Sequence, residues 1–236
     1  MLEKIILIES SCDDSIAILK NIIQNLSTQN INYILKMQKT CQLKLEEKTL
    51  SIIFNQNNFK PFILDYNSSK YLDCIKNAKK SLLNKACKIT PQNKILDMSC
   101  GWGKDSLTMA CLGANITSIE VNPLVAILVQ YAKAKLHYNW TLIIEDSVNY
   151  IKNNKDFDIV YLDPMFPPKK NLSNKNLQIL SLLCKPTSSI EYMLEHVLKT
   201  TKSKTVIKLP LKYSIRHKPN YKIYGKAIKW YIFIPS

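Results

Sequence analysis

Two of the chain's four glycines stand within one nonapeptide, Asp97-Met98-Ser99-Cys100-Gly101-Trp102-Gly103-Lys104-Asp105. Glycine serves where a backbone must turn sharply and approach a ligand with no Cβ in between. The apolar run that includes Ile95 and Leu96 precedes this loop and a helical pattern starts near Lys104, so the free N–H groups of a helix start face the same space. A strand, a G-x-G turn and a helix in that order point to a nucleoside-bearing cofactor. Glu120 ends the next apolar run, where it either accepts hydrogen bonds from a ribose hydroxyl pair or is a solvated strand end. Asp146-Ser147 follow the third run, where they meet an adenine amino group, cap a helix, or do both. A nicotinamide dinucleotide and S-adenosylmethionine both fit this layout. The place of the third glycine of G-x-G-x-x-G is held by Ser106, however, and Asp105 would repel a pyrophosphate. An acidic side chain there suits a cofactor with an ammonium and a sulfonium, so electrostatics favours S-adenosylmethionine.

The second chemical motif is Val160-Tyr161-Leu162-Asp163-Pro164-Met165-Phe166-Pro167-Pro168, at the end of a fourth apolar run. It resembles the D-P-P-[YF] signature of amino-group methyltransferases, with Asp163, Pro164 and Phe166 in register. The residue types suit an exocyclic base amine, whose lone pair is delocalised into the ring. The Asp163 carboxylate and the Pro164 carbonyl can accept its two N–H bonds and localise that lone pair. Pro164 keeps the turn rigid, and Phe166 offers a face for the base, worth ~1–3 kcal/mol in stacking. Lys169 and Lys170 follow at once, and Lys208 ends a later strand. Each either contacts RNA phosphates or is solvated.

The elements that must position these residues alternate from Lys94 onward. Strands are predicted at Lys94–Met98, Asn115–Val121, Thr141–Glu145, Phe157–Leu162 and Lys204–Leu209. Helices are predicted at Lys104–Leu112, Pro123–His137, Ser147–Asn153, near Asn174–Cys184 and at Ser188–Thr201. Tyr221–Tyr224 and Lys229–Ile234 read as a closing hairpin about Gly225. Such alternation predicts βαβ units, a mostly parallel seven-stranded sheet ending in an antiparallel hairpin, and ligand binding at the carboxyl ends of the strands. Before it, short strands are expected at Lys4–Ile8, Asn32–Lys36, Cys41–Leu45, Thr49–Phe54 and Pro61–Leu64. Helices are expected at Asp13–Leu26, capped by Asp13 or Asp14, and at Ser69–Lys88. The second of these carries a basic face that is either solvated or turned to RNA. The predicted division is a small α/β accessory segment, 1–90, and a catalytic domain, 91–236.

Lys and Arg number 33 against 18 Asp and Glu, a net charge of +15. A bias towards lysine accounts for Arg216 being the only arginine, but not for the shortage of acids; the excess favours a polyanionic partner. The seven cysteines are scattered with no C-x-x-C pair, so neither a disulfide framework nor a metal site is predicted. No apolar run reaches the ~18 residues of a membrane span, and Met1–Ser11 lacks the basic-then-apolar layout of a secretory signal. The expectation is a cytoplasmic protein without membrane or metal.

With these residues in view, the chain resembles the RsmJ family of small-subunit ribosomal RNA guanine-N2 methyltransferases. The likeness rests on D-x-x-x-G-x-G-[RK]-D (Asp97–Asp105), E-x-N-P (Glu120–Pro123), Y-L-D-P-M-F-P (Tyr161–Pro167) and, less specifically, V-x-K-x-P (Val206–Pro210) and the closing strand pair. It covers roughly Lys94 to the C-terminus. The resemblance implies a class I methyltransferase fold and transfer to the N2 of a guanosine near the 3′ end of 16S rRNA, free or in the assembled small subunit. It also implies cofactor contacts at Lys104-Asp105, Glu120-Val121, Asp146-Ser147 and Asp163. Family members usually carry arginine where Lys104, Val121 and Leu209 stand. Methylation of adenine N6 in RNA or DNA is the competing reaction, and a non-catalytic RNA-binding assembly factor is the competing class.

Overall fold

A computed structural model describes residues 1–55, 59–166, 175–184 and 189–235, with the side chains of Ser10 and Ser11 left aside. In chain order the first elements are α1 (Leu2–Ile5), β1 (Ile6–Ser11), α2 (Asp13–Gln24), α3 (Thr28–Met37), β2 (Cys41–Glu47), β3 (Thr49–Phe54) and β4 (Phe62–Ile63). Next come α4 (Ser69–Lys76), a 3-10 turn (Ala78–Lys80), α5 (Leu82–Cys87), β5 (Lys94–Asp97), α6 (Lys104–Ala110), β6 (Asn115–Glu120) and α7 (Pro123–Lys133). The chain continues through β7 (Trp140–Ile144), α8 (Ser147–Asn153), β8 (Ile159–Leu162), α9 (Lys175–Leu183) and α10 (Ile190–Thr200). It closes with β9 (Lys204–Pro210), β10 (Tyr221–Tyr224) and β11 (Ile228–Phe233).

Two compact units result, one of residues 1–68 with 122–137 and one of 69–121 with 138–236. In the smaller unit, β1 to β4 form one sheet in sequence order, parallel between β1 and β2 and antiparallel thereafter. Helix α7 belongs to this unit. Asn122 caps it by accepting from the N–H groups of Leu124 and Val125, and Pro123 opens it where a missing N–H costs nothing. Residues Leu124 to Val129 are all at most 1% exposed, the pattern of a helix covered on every side.

Several local expectations give way here. Asn32–Lys36 is helical, because Ser27 caps the preceding turn through the Asn30 N–H (3.2 Å) and burial recurs at Ile31 and Ile34 with helical spacing. The chain enters Lys4–Ile8 through the single turn α1 before extending at Ile6. Cys12, not either aspartate, is the N-cap of α2, and Asp13 and Asp14 occupy its first turn, where they complement the helix dipole.

The larger unit contains a seven-stranded sheet of order β10-β11-β9-β8-β5-β6-β7. Strands β5 to β9 run parallel, while β11 is antiparallel to β9 and β10 to β11, closing the sheet as a hairpin. This is the class I methyltransferase architecture. Strand order reverses between β5 and β8, the point at which open α/β sheets form a crevice at their carboxyl ends. Below it, Leu96, Val160, Leu162, Ile207 and Leu209 pack with Val148, Ile151, Leu194 and Val197 of α8 and α10 into a continuous core. The single helix expected over Ser69–Lys88 is broken: Ser81 leaves helical geometry and caps α5 through the Asn84 N–H at 3.0 Å. Among the described residues, no helix is long and apolar enough to cross a membrane.

Candidate active site

The nonapeptide after β5 is laced to both neighbouring strands. Met98 N–H donates to the Tyr161 carbonyl on β8 and Cys100 N–H to the Ile119 carbonyl on β6, each at 3.0 Å. Gly101 then turns into the left-handed region at φ +51°. A Cβ there would be strained and would meet Leu180 of α9 at 3.3 Å, so glycine is required for both shape and space. The Gly101 N–H donates to Glu120 Oε2 at 2.9 Å, which links the loop to the end of β6. On the other side, Ser99 Oγ accepts from the Asp163 N–H at 2.7 Å, which links the loop to the end of β8. Gly101, Glu120 and Asp163 are thereby brought around one cleft of about 610 Å³, within the range of small-molecule and cofactor sites.

Of the residues expected to touch cofactor, Gly101, Lys104, Asp105, Glu120, Val121, Asp146, Ser147 and Asp163 line this cleft, as do Pro164, Met165 and Phe166. Asp97 and Gly103 are not part of the lining. Asp97 lies beneath the loop, 1% exposed, accepting from Ser106 Oγ at 2.5 Å and from the Ser99 N–H at 3.1 Å. Burial pushes its carboxyl up to about 7, although both hydrogen bonds pull the other way. Gly103 provides the left-handed N-cap of α6 at φ +66°. Asp146 lines the cleft and also caps α8 through the Asn149 N–H at 3.0 Å, so the cap does not remove it from the cleft. Lys169 and Lys170 lie outside the described residues.

Lys208, expected near RNA phosphates, has its ammonium between two carboxylates of the cleft, 2.8 Å from Asp105 Oδ2 and 2.7 Å from Asp163 Oδ2. Burial opposes the charge, but the two carboxylates hold the Lys208 ammonium well above its ordinary range. Burial likewise works against the Asp105 anion, yet Lys208, the Tyr161 hydroxyl and Lys104 together bring it below the usual carboxylate range. Asp163 moves the opposite way: burial raises it, Lys208 partly offsets that, and the like charge of Asp105 adds to the rise.

Sequence reasoning did not single out the cover of the cleft. Tyr71 and Lys70 of α4 line it, with Asn176, Leu177 and Leu180 of α9. Trp102 Nε1 donates to the Asn176 carbonyl at 2.8 Å, joining the cofactor loop to that helix. The only available signal was the amphipathic pattern of these helices, which names an apolar face and not what it covers.

The lining fits S-adenosylmethionine. Carboxylates of Asp105, Glu120, Glu145, Asp146 and Asp163 outnumber the ammonium groups of Lys70, Lys104 and Lys208, so the cleft favours a cation. Apolar walls from Met98, Ile119 and Leu180 suit a flat adenine ring. Among the described residues, no cluster of three or more His, Cys, Asp or Glu side chains is placed to hold a metal ion.

The family model described as "Putative SAM-dependent methyltransferase" matches residues 26–235. A ribosomal RNA small subunit methyltransferase J of Legionella pneumophila (strain Lens) is 31% identical over 209 residues, 84% of this chain and 84% of that protein. The protein of the same name from Francisella tularensis subsp. novicida (strain U112) is 30% identical over 210 residues, covering 81% of this chain and 86% of the relative. The crystal structure of a SAM-dependent methyltransferase from Neisseria gonorrhoeae superposes with a TM-score of 0.69 over 98% of this chain and 95% of its own, at 20% identity, and shares the fold. This chain belongs to the family of S-adenosylmethionine-dependent methyltransferases that includes ribosomal RNA small subunit methyltransferase J, and S-adenosylmethionine is its cofactor.

Proposed function

We propose that the protein methylates the exocyclic N2 amine of a guanosine near the 3′ end of 16S rRNA, acting in the cytoplasm on small-subunit RNA. The observation that carries this reading is the shared cleft, in which Gly101, Glu120 and Asp163-Pro164-Met165-Phe166 line one space. The name shared by the Legionella and Francisella relatives supports ribosomal RNA of the small subunit as substrate, and the Y-L-D-P-M-F-P resemblance supports guanine N2. Residues 91–236 hold the glycine loop and the Asp163 motif that carry the reaction, and Lys70 and Tyr71, which belong to the same compact unit as these, add to the cleft.

S-adenosylmethionine, when bound, supplies a methyl group on a sulfonium, a carbon already activated for in-line displacement. Glu120 would take the ribose hydroxyls, and Asp146-Ser147 would meet the adenine edge. Asp163 and the Pro164 carbonyl accept the two N–H bonds of the guanine amine, turning its lone pair towards the methyl carbon. Catalysis is then chiefly positioning. The proton shed by the methylated amine passes to Asp163 Oδ1. Phe166 offers its face to the base, and the edge of Tyr213 steadies that ring at 5.0 Å between centroids. Reaching this pocket requires the guanosine to leave its stack. Lys212, Arg216 and Lys218 are exposed on the segment after β9 that Tyr213 ties to Phe166, where flanking phosphates would meet them.

The test is labelled methyl transfer to small subunits, and to free 16S rRNA, lacking the modification, followed by nucleoside identification. N2-methylguanosine is the expected product. N6-methyladenosine would replace the guanine reading, and RNA binding with no cofactor affinity by calorimetry would replace the enzyme reading. Asp163→Ala should lose activity by at least about 100-fold with cofactor binding retained; undiminished transfer by that variant sinks the role given to Asp163.

A further inference from the structure

Alternation along β9 turns Ile207 and Leu209 into the core and sends Lys208 to the opposite face of the sheet. In register, Leu162 of β8 pairs with Ile207, so the next residues along, Asp163 and Lys208, lie side by side at the carboxyl edge. The Lys208 ammonium there contacts Asp105 Oδ2 and Asp163 Oδ2 together, and the Tyr161 hydroxyl donates to the same Asp105 oxygen at 2.6 Å. The side chains of Lys208, Asp105 and Asp163 are 20%, 19% and 35% exposed, so solvent screens the Asp105 pair weakly and the Asp163 pair somewhat more.

We propose that Lys208 is a positioning residue for methyl transfer, its ammonium holding Oδ2 of Asp163 so that Oδ1 alone faces the substrate amine and the carboxylate stays ionised. This rests on Asp163 being the amine acceptor. Without a partner, a carboxylate this close to Asp105 would escape the like charge by taking a proton, and a protonated Asp163 accepts poorly. A lysine suits the place because its compact ammonium can serve two acceptors set at an angle, whereas a planar guanidinium requires them in one plane. One ammonium against two carboxylates also leaves a net negative charge, which favours a sulfonium nearby. Two of the three ammonium donors are committed to carboxylates, which leaves one for any other partner.

The charged and titratable groups that interact with Asp163 are Asp97 at the end of β5, Asp105 on α6, Tyr161 on β8 and Lys208 on β9, while Lys104 of α6 acts on Asp105. Of these, only Lys208 bonds directly to the Asp163 carboxylate as a cation. Removing it therefore moves the protonation of Asp163 to higher pH.

The experiment is the pH dependence of kcat/KM for RNA in wild type, Lys208→Met, Lys208→Arg and the double variant Lys208→Met/Asp105→Asn, with cofactor affinity measured in each. Lys208→Met should shift the acid limb up by about one pH unit or more, losing about 10-fold or more at neutral pH and recovering part of it in alkali. Cofactor affinity should hold to within about 10-fold. The double variant, relieved of the like charge, should return the limb towards its wild-type position; if Lys208→Met fails to fold, Lys208→Gln, neutral but polar, carries the same test with the same expected upward shift of the acid limb. Lys208→Arg should keep the limb within about half a unit. A Lys208→Met rate that falls equally at every pH, or an acid limb that does not move, overturns the proposal. Asp163→Asn separates the two readings: full activity in that variant defeats the amine-acceptor role itself, whereas an inactive Asp163→Asn beside an unshifted Lys208→Met defeats only the positioning role.

Discussion

Glu120 shows how one side chain can serve two partners in the cleft. It is 7% exposed, and one oxygen accepts the Gly101 N–H at 2.9 Å, so the carboxylate shapes the glycine turn while lining the cleft. Replacing it with Gln keeps an acceptor of the same size but removes the charge that strengthens the bond from Gly101 and would strengthen one from the proposed ribose. Glu120→Gln is expected to weaken S-adenosylmethionine binding by about 10- to 100-fold, on the basis of ~1.5–3 kcal/mol for bonds to charged groups, with little change in melting temperature. Calorimetric titration checks this, and unchanged affinity would remove Glu120 from the ribose contact. That a carboxylate ends β6 and faces the cleft was legible in the sequence, because strand ends in such a sheet follow from the apolar periodicity. The partnership of Lys208 was not legible: a lysine at a strand end reads equally as a phosphate contact until the facing carboxylates are located.

At the scale of elements, the loop after β5 is held from below as well as from its sides. Asp97 accepts from Ser106 on α6 and from the Ser99 N–H, and Ser106 Oγ in turn meets Ser118 Oγ of β6 at 2.7 Å, so a polar network joins strand, loop and helix inside the core. Burial favours the neutral acid in this network, and the folded-state value rises to about 7 against about 3.9 in the unfolded chain. The folded protein therefore binds this proton more tightly. The stability it contributes is complete below about pH 3.9 and is lost as pH rises through about 7, at up to ~1.4 kcal/mol per pH unit. Asp97→Asn, which cannot ionise, should flatten that part of the stability curve between about pH 5 and 7; denaturant titrations of both proteins at three pH values decide it, and parallel curves would count against a neutral Asp97. Helix α3 illustrates the limit of local reading at this scale. Its β-branched and aromatic residues suit a strand, and the Ser27 cap together with burial of Ile34 on one face decides for a helix.

Across the whole molecule, 33 basic residues against 18 acidic ones set how the protein meets its partner. Exposed lysines and Arg216 would meet phosphates through solvent, whereas the carboxylates and ammonium of the cleft are partly shielded from it. RNA affinity should consequently fall steeply with salt, with a log–log slope of about −2 to −4 for roughly three to five single-strand phosphate contacts. Cofactor affinity should change little over the same range. Filter-binding and calorimetric titrations between low and physiological salt test the contrast, and equal salt dependence of the two ligands would contradict it.

The sequence by itself determined the alternating sheet, the glycine turn and the carboxylates at successive strand ends, since these depend on periodicity and on residue types at short range. Tertiary structure alone decided that Asp97 lies beneath the loop, that Trp102 joins α9, that α7 belongs to the smaller unit, and that Lys208 joins Asp105 to Asp163. Each of these depends on groups tens of residues apart coming into contact, and burial and charge act between such neighbours however distant they are along the chain.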